Sequence, residues 1–139
     1  MKSLIIDTCF WIALFNPEKE PQHQEIVELI VDIIDNHTIL IPYPTLYEFL
    51  DSKFSRKDRL IQFYNELSKP NFVKIDDSKY KEKALDNFFI KSTQKMEDVS
   101  FVDEIIKEMI DDENLKTDFI ITFDKALENY AYSKNVKSI

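Results

Sequence analysis

The 139-residue sequence predicts an α/β fold, a three-layer sandwich in which helices cover both faces of a mostly parallel central sheet. Short apolar segments of strand length alternate along the chain with segments of helical periodicity, as they do in folds built from strand–helix–strand units. Each short segment is continuously apolar, which indicates a strand that is buried on both faces. The length is that of a single domain, 1–139, and the sequence contains no repeat or linker that would divide it.

The sheet is predicted to contain four to five strands. Four apolar segments stop at polar residues or prolines, as buried strands do. They are Leu4–Ile6, Thr38–Ile41, Phe72–Ile75 and Phe119–Thr122. The segment Asn135–Ile139 is a candidate for a fifth strand at one edge of the sheet.

Seven helices are predicted from apolar residues that recur every three or four positions. The residues that mark them, in chain order, are the run Cys9–Phe15; Ile26, Leu29, Ile30, Ile33 and Ile34; Leu46, Phe49 and Leu50; Leu60, Tyr64 and Leu67; Tyr80, Ala84, Phe88 and Phe89; Val102, Ile105, Ile106, Met109 and Ile110; and Leu127, Tyr130 and Ala131. Three of these helices are expected to begin at Glu25, at Thr45 and near Val99. We expect Tyr80, Phe88 and Phe89 to lie in the core and not to stack on nucleic-acid bases.

The composition excludes several classes of function. The sequence has no glycine, so it lacks the phosphate loops, dinucleotide-binding turns and nucleophile elbows that require this residue. Its single cysteine, Cys9, cannot form an intramolecular disulfide and is expected to be a small buried apolar residue. His23 and His37 do not have the spacing of metal ligands. The start of the chain does not resemble a signal peptide, and the apolar run Cys9–Phe15 is too short to cross a bilayer, so we expect a cytoplasmic protein without membrane contact.

The negative charge of the chain is concentrated in one segment. The net charge is −8, and the segment from Glu97 to Glu128 contains eleven acidic residues and three lysines, which gives −8 by itself. An acidic protein attracts nucleic acid poorly. A role in nucleic-acid chemistry would therefore require something that offsets this segment, and a bound cation would do so.

Four carboxylates lie at junctions between predicted strands and helices. Asp7 and Asp124 directly follow the first and fourth strands, Glu48 lies in the first turn of the helix after the second strand, and Asp103 lies in the first turns of the helix before the fourth. Open α/β sheets build their active sites at the carboxyl ends of the strands. Each acid also has a simpler interpretation, because all four could cap helices: Asp7 and Asp124 as N-caps, Glu48 and Asp103 in capping boxes that begin at Thr45 and Ser100.

If the sheet brings these acids together, their repulsion favours a bound cation. Ligands that are all oxygen suit Mg²⁺ or Mn²⁺. Such a site usually acts on phosphates, because phosphate oxygens and water fill the remaining positions around the metal.

The segments around these acids resemble the four motifs of PIN domains. They are Leu4-Ile5-Ile6-Asp7-Thr8 with the apolar run to Phe15 and Asn16-Pro17, the segment from Pro42 through Leu46-Tyr47-Glu48-Phe49-Leu50, Ser100-Phe101-Val102-Asp103, and Ile121-Thr122-Phe123-Asp124-Lys125. The resemblance spans nearly the whole chain in the right order, and the size fits a stand-alone PIN nuclease such as the toxins of VapBC-type modules.

The resemblance implies a PIN-like α/β/α sandwich with metal-dependent endoribonuclease activity. Asp7, Glu48, Asp103 and Asp124 would be the catalytic residues and would hold one or two Mg²⁺ or Mn²⁺ ions. Thr8 and Thr122 would support them as hydroxyl partners of a carboxylate or water. The expected substrate is RNA, and the expected partners are an antitoxin and a second copy of the chain. A related nuclease of RNA processing or defence, or an inactive PIN-fold binding module, would be the alternative.

The sequence departs from the PIN pattern at two places. Glu104, Lys107 and Glu108 follow Asp103 where small residues are usual, and Asn114–Thr117 replaces the glycine that commonly precedes the fourth strand. Neither change removes an acid. A further acid near Asp103, Asp98, is expected to be a helix N-cap.

A basic segment shortly after Glu48 is a candidate for binding the RNA backbone. It contains Lys53, Arg56, Lys57 and Arg59, including both arginines of the chain. Because Asp51 and Asp58 lie among these residues, an ordinary solvated helix face is an equally good interpretation.

Two other phosphate-handling families do not fit. A phosphatase of the haloacid dehalogenase type would have a second aspartate two residues after Asp7, where this chain has Cys9. A receiver domain would have paired acids at the end of the first strand, and they are absent as well.

Overall fold

A computed structural model describes residues 1–53, 55–94 and 100–139 of the chain. The five strands are β1 (Ser3–Ile6), β2 (Thr38–Pro42), β3 (Phe72–Ile75), β4 (Phe119–Ile121) and β5 (Lys137–Ser138). The helices are α1 (Thr8–Phe15), α2 (Gln24–Ile33), α3 (Tyr43–Leu50), α4 (Lys57–Leu67), α5 (Lys81–Thr93), α6 (Phe101–Asp111) and α7 (Lys125–Ser133), with short 3₁₀ turns at Pro21–His23 and Ile34–Asn36. Within these ranges, no helix is both long and apolar enough to cross a membrane.

The strands form one all-parallel sheet in the order β3-β2-β1-β4-β5. This confirms the predicted α/β class and the central parallel sheet. β1 lies in the middle of the sheet, so the segments that follow β1, β2 and β4 emerge at the same edge.

The two faces of the sheet carry separate apolar cores, which explains why the inner strands β1, β2 and β4 are largely apolar. The edge strand β3 has exposed residues at Val73 and Lys74, so the expectation that each strand is buried on both faces is wrong for β3. Leu4 and Ile6 of β1 pack on the face covered by α1 to α4, where rings of Trp11, Phe63 and others meet edge to face or tilted. Ile5 packs on the opposite face against α5, α6 and α7. Since successive side chains of a strand point to opposite faces, a strand covered on both sides must be apolar at every position.

Helix α3 begins two residues earlier than predicted, and this changes the position of Glu48. Pro44 occupies the first turn, where a missing backbone N–H costs nothing. Thr45 does not cap the helix, because its hydroxyl donates to the Pro42 carbonyl at 2.7 Å. The predicted capping box from Thr45 to Glu48 is therefore wrong, and Glu48 lies in the second turn of α3, not in the first.

The other predicted caps are present where the structure describes them. Ser100 caps α6, because its hydroxyl accepts a hydrogen bond from the Asp103 amide at 3.3 Å. Asp7 and Asp124 cap α1 and α7. Asp98 and Val99, the expected cap and start of the α6 region, lie outside the described residues.

Several apolar residues on predicted helix faces are exposed instead of buried. Phe89 is 57% exposed and Tyr64 is 69% exposed, and Leu29 and Leu50 are each 47% exposed. The prediction that Phe89 belongs to the core is therefore wrong, whereas Tyr80 is buried as expected. Helical periodicity shows which residues share a face, but not how far a neighbouring element extends over that face.

Candidate active site

Asp7 and Asp124 lie at the carboxyl ends of the neighbouring strands β1 and β4. Each caps the helix that follows: Oδ1 of Asp7 accepts from the Thr8 amide at 2.8 Å, and Oδ1 of Asp124 accepts from the Leu127 amide at 2.9 Å. Carboxylates at these positions also benefit from the positive end of the helix dipole. The sheet pairing and the two caps therefore fix both acids at one edge of the sheet.

Thr122 connects the two strand ends. Its hydroxyl donates to Oδ2 of Asp7 at 2.9 Å and accepts from the Asp124 amide at 3.1 Å. Thr122 is buried, so these hydrogen bonds are shielded from water. The side chain thus orients the Asp7 carboxylate and holds the backbone at Asp124.

Thr8 supports the Glu48 carboxylate in the same way as Thr122 supports that of Asp7. The buried Thr8 hydroxyl donates to Oε1 of Glu48 at 2.7 Å, which joins the start of α1 to the second turn of α3. The structure thus places both hydroxyls that were predicted to support the acids, those of Thr8 and Thr122, directly on carboxylates.

Asp103 completes the group from the first turn of α6 on the opposite side of the site. All four acids line one open cavity of about 520 Å³. The other residues of its described wall are Thr8, Cys9, Ile12, Ser52, Ser100 and Phe123. The fold therefore collects acids from four separate segments of the chain around one space.

The pKa of Asp103 shows how strongly the four charges act on one another. Burial raises this pKa first, and the charges of Asp7, Asp124 and Glu48 raise it further, to about 7, against a smaller opposing effect of Lys107. Lys107 lies one turn further along α6 and belongs to the residues that depart from the PIN pattern. Asp103 is therefore the carboxyl group at which the repulsion within the cluster is most evident.

The pKa values of Asp7 and Glu48 are raised as well. For both groups burial is the main cause, and a neighbouring acid adds to it: Asp124 acts on Asp7, and Asp7 acts on Glu48. The hydrogen bonds from Thr122 and Thr8 lower the two pKa values, since they stabilise the charged forms. Negative charge in this cavity is therefore only partly compensated by the protein itself.

A divalent cation fits this set of residues. The described parts of the chain contain no group of three Asp, Glu, His or Cys side chains arranged to hold a metal ion directly. Mg²⁺ does not need such a group, because it keeps several waters and commonly binds through one or two carboxylates together with phosphate. Burial raises the pKa of the Cys9 thiol to about 12, so this neighbour is a neutral thiol at pH 7. The candidate ligands in the cavity are therefore the oxygen atoms of the carboxylates and of water, which suit Mg²⁺ or Mn²⁺.

Comparison with known families matches residues 4–132 to the PIN domain. The chain belongs to the PIN domain family. The match covers all four acids and confirms the resemblance that the sequence motifs indicated. No curated protein matches the sequence.

A solved structure supports the fold of this PIN domain independently. The structure of this chain is similar to the crystal structure of VapBC2 from Rickettsia felis bound to a DNA fragment from their promoter, with a TM-score of 0.59 and 17% sequence identity. The similarity covers 99% of this chain and 97% of the other. At this level of identity it is evidence for the fold.

The predicted RNA-binding residues of this PIN domain are not part of the described wall of the acid cavity, and Arg59 lines a different groove, beside Trp11 and Phe15. Lys53 directly follows Ser52, which lines the cavity, and Lys57 is exposed at the start of α4. Arg56 donates to Glu18 at 3.1 Å, and both Arg56 and Arg59 lie within 4.0 Å of Asp58. The two arginines are thus engaged with surface acids, as the interpretation of a solvated helix face also requires.

Sequence reasoning missed two rings at the edge of the PIN site. Phe123 lies between Thr122 and Asp124 and lines the cavity, so its position in the fourth motif could have identified it. His23 stacks on Phe123 with ring centroids 3.7 Å apart. One hundred positions separate these two residues, and no pattern in the sequence connects them.

Proposed function

We propose that this PIN domain is a metal-dependent endoribonuclease of the cytoplasm that acts as the toxin of a toxin–antitoxin module. The observation that supports the proposal most directly is geometric: Asp7, Glu48, Asp103 and Asp124 come from four separate segments of the chain and line one open cavity. A phosphodiester is the substrate that an all-oxygen Mg²⁺ or Mn²⁺ site serves best.

In this proposal Asp7, Glu48, Asp103 and Asp124 hold the cation, one or two of them directly and the others through its waters. When bound, the cation would stabilise the attacking and leaving oxygens of an in-line hydrolysis. Thr122 and Thr8 orient Asp7 and Glu48 through their hydrogen bonds, so the ligands need little rearrangement. The expected products have a 5′-phosphate and a 3′-hydroxyl.

The activity can be tested with the purified protein and a panel of single-stranded and loop-containing RNAs. We expect cleavage with Mg²⁺ or Mn²⁺ and none with EDTA. The Asp103→Asn variant, purified in the same way, should be inactive and controls for contaminating nucleases. The Glu113→Gln variant removes the same charge from an exposed position and should remain active. An intact RNA panel at all metal concentrations would favour the inactive binding module instead.

We further propose that the antitoxin binds a groove between α1, α2 and α4. This groove, of about 390 Å³, has an apolar floor that includes Trp11 and Phe15 and a polar rim with Gln62 and Asn65. Val31 is 47% exposed on one side of the groove, and Arg59 and Glu66 add charged groups to its rim. An antitoxin segment that combines apolar side chains with polar groups facing this rim would suit the groove.

The partner can be sought in the reading frame next to the gene, whose product should co-purify with this chain. A Val31→Asp variant places a charge on the exposed apolar side of the groove, so we expect weaker antitoxin binding with RNA cleavage unchanged. Antitoxin affinity equal to that of the wild type would place the partner elsewhere. We also propose that the chain forms a homodimer, which light scattering of the isolated protein would test.

A further inference from the structure

The rings of His23 and Phe123 form a flat stack at the edge of the acid cavity. Their centroids lie 3.7 Å apart and their planes differ by 2°. Phe123 is half-buried and borders the cavity beside Asp124, and the His23 side chain is 27% exposed. Both rings are therefore partly accessible, and Phe123 is the ring that borders the carboxylates.

The protein holds this stack in place on both sides. The Phe123 amide donates to Sγ of Cys9 at 3.3 Å, which ties the backbone beneath the ring to the start of α1. On the other side, the His23 amide donates to the Glu20 carbonyl at 3.2 Å, and the Glu20 carboxylate lies 3.8 Å from the imidazole. A pair of rings fixed in this way loses little freedom when a third planar group packs against it.

An aromatic surface can bind RNA even though the protein is negatively charged. The net charge is −8, and the cavity itself is lined by four acids. The overall charge of the protein therefore does not attract the RNA backbone, and local contacts must supply the affinity. Stacking of a nucleobase on aromatic or histidine rings does not depend on this attraction and is a main source of affinity for single-stranded RNA.

We propose that His23 and Phe123 form a platform on which a nucleobase of single-stranded RNA stacks beside the scissile phosphate. This inference rests on the proposed ribonuclease function and adds a substrate class and two binding residues to it. A base that stacks on the platform cannot stay stacked within a helix. The platform therefore selects unpaired nucleotides, with little dependence on which base is present, because every base has a planar face.

The test combines protein variants with abasic substitutions in a cleaved single-stranded oligonucleotide. Replacing one base at a time with an abasic site keeps the phosphate and removes only the stacking group. We expect one position next to the cleavage site where the abasic change raises KM of the wild type about tenfold with kcat nearly unchanged. His23→Ala should raise KM of the intact oligonucleotide to a similar extent and make it insensitive to the abasic change at that position.

The matched control is His23→Phe, which keeps a ring that can stack and should retain a KM near that of the wild type. Melting temperatures of both variants would verify that they fold. If the increases in KM caused by His23→Ala and by the abasic site multiply when the two changes are combined, the two groups do not contact each other and the proposal is refuted. An abasic scan of the wild type without any sensitive position would also refute it. Failure of the wild type to cleave any RNA would refute the ribonuclease function itself, which is a separate outcome.

Discussion

Asp103→Asn should stabilise the metal-free protein, although the change removes a charged residue from the first turn of a helix. The Asp103 carboxyl has a pKa of about 7 in the fold, against 3.8 for an ordinary aspartate. This difference corresponds to about 4 kcal/mol, and screening at a partly exposed group reduces it to about 2 kcal/mol. Asparagine is neutral, so it avoids both the cost of burying the charge and the repulsion by the other acids.

Of two local interactions of Asp103, the substitution removes only one, which has to be subtracted. The N-cap itself persists, because Ser100 accepts its hydrogen bond from the backbone amide of residue 103, which the variant keeps. The favourable interaction of the carboxylate with the helix dipole is lost, which costs about 0.5 kcal/mol. The net gain is about 1.5 kcal/mol, or roughly a 5 °C rise in Tm for a chain of this length.

The gain should depend on pH in a defined direction. Because the pKa of Asp103 is raised by folding, the native state binds the proton more tightly than the unfolded state. The charge on Asp103 therefore costs no stability below the unfolded pKa of 3.8, costs more as the pH rises, and reaches its full effect above about 7. The advantage of Asp103→Asn should be largest at pH 8 and disappear near pH 4.

Thermal melts in EDTA and in Mg²⁺ would check these expectations. Mg²⁺ at a hundred times its Kd should stabilise the wild type by about 2.7 kcal/mol, or roughly 8 °C, and the variant much less. Glu113→Gln removes an exposed charge at the other end of α6 and should change neither result. If Asp103→Asn melts below the wild type at pH 8 in EDTA, neither burial nor the neighbouring acids make the Asp103 charge costly, and the reasoning fails.

Two further predictions concern substrate binding and the support of the acids. Changing Arg56 and Arg59 together to Ala should raise KM for RNA severalfold and flatten its salt dependence while kcat stays nearly constant. Steady-state kinetics at several salt concentrations would measure these changes. Unchanged RNA affinity would show that the two arginines do not bind the substrate. Thr8→Val removes the 2.7 Å hydrogen bond to Glu48 and should lower kcat/KM about 10- to 100-fold. Thr8→Ser keeps the hydroxyl and should restore most of the activity, and a Val variant as active as the wild type would show that this hydrogen bond does not matter.

The sequence predicts the middle of the sheet well because β1, β2 and β4 are buried on both faces. Such strands must be apolar at every position, and segments like Leu4–Ile6 are easy to recognise between polar residues. The order of strands and helices then places Asp7 and Asp124 at one edge, because parallel strands have their carboxyl ends together. The general location of the site thus follows from hydrophobic burial and from chain direction.

Some details of the structure are not predicted from the sequence. They depend on contacts between distant segments, or on which of two local hydrogen bonds a side chain makes. The start of α3 is set by Pro44 and by the hydroxyl of Thr45, which bonds backward to Pro42 instead of capping the helix. The stack of His23 on Phe123 brings together residues a hundred positions apart. Periodicity within one element contains no information on either.

Capping and cation binding, which the sequence presents as competing roles for these acids, are compatible in the structure. Asp7 caps α1 with Oδ1, whereas Oδ2 is oriented by Thr122. Asp124 likewise uses Oδ1 for the Leu127 amide. A cap occupies one lone pair of a carboxylate and fixes its orientation, and the remaining lone pairs stay able to accept a cation or its water. The helix caps at Asp7 and Asp124 are therefore no argument against a catalytic role, because they hold the two carboxylates at the cavity where a cation would need them.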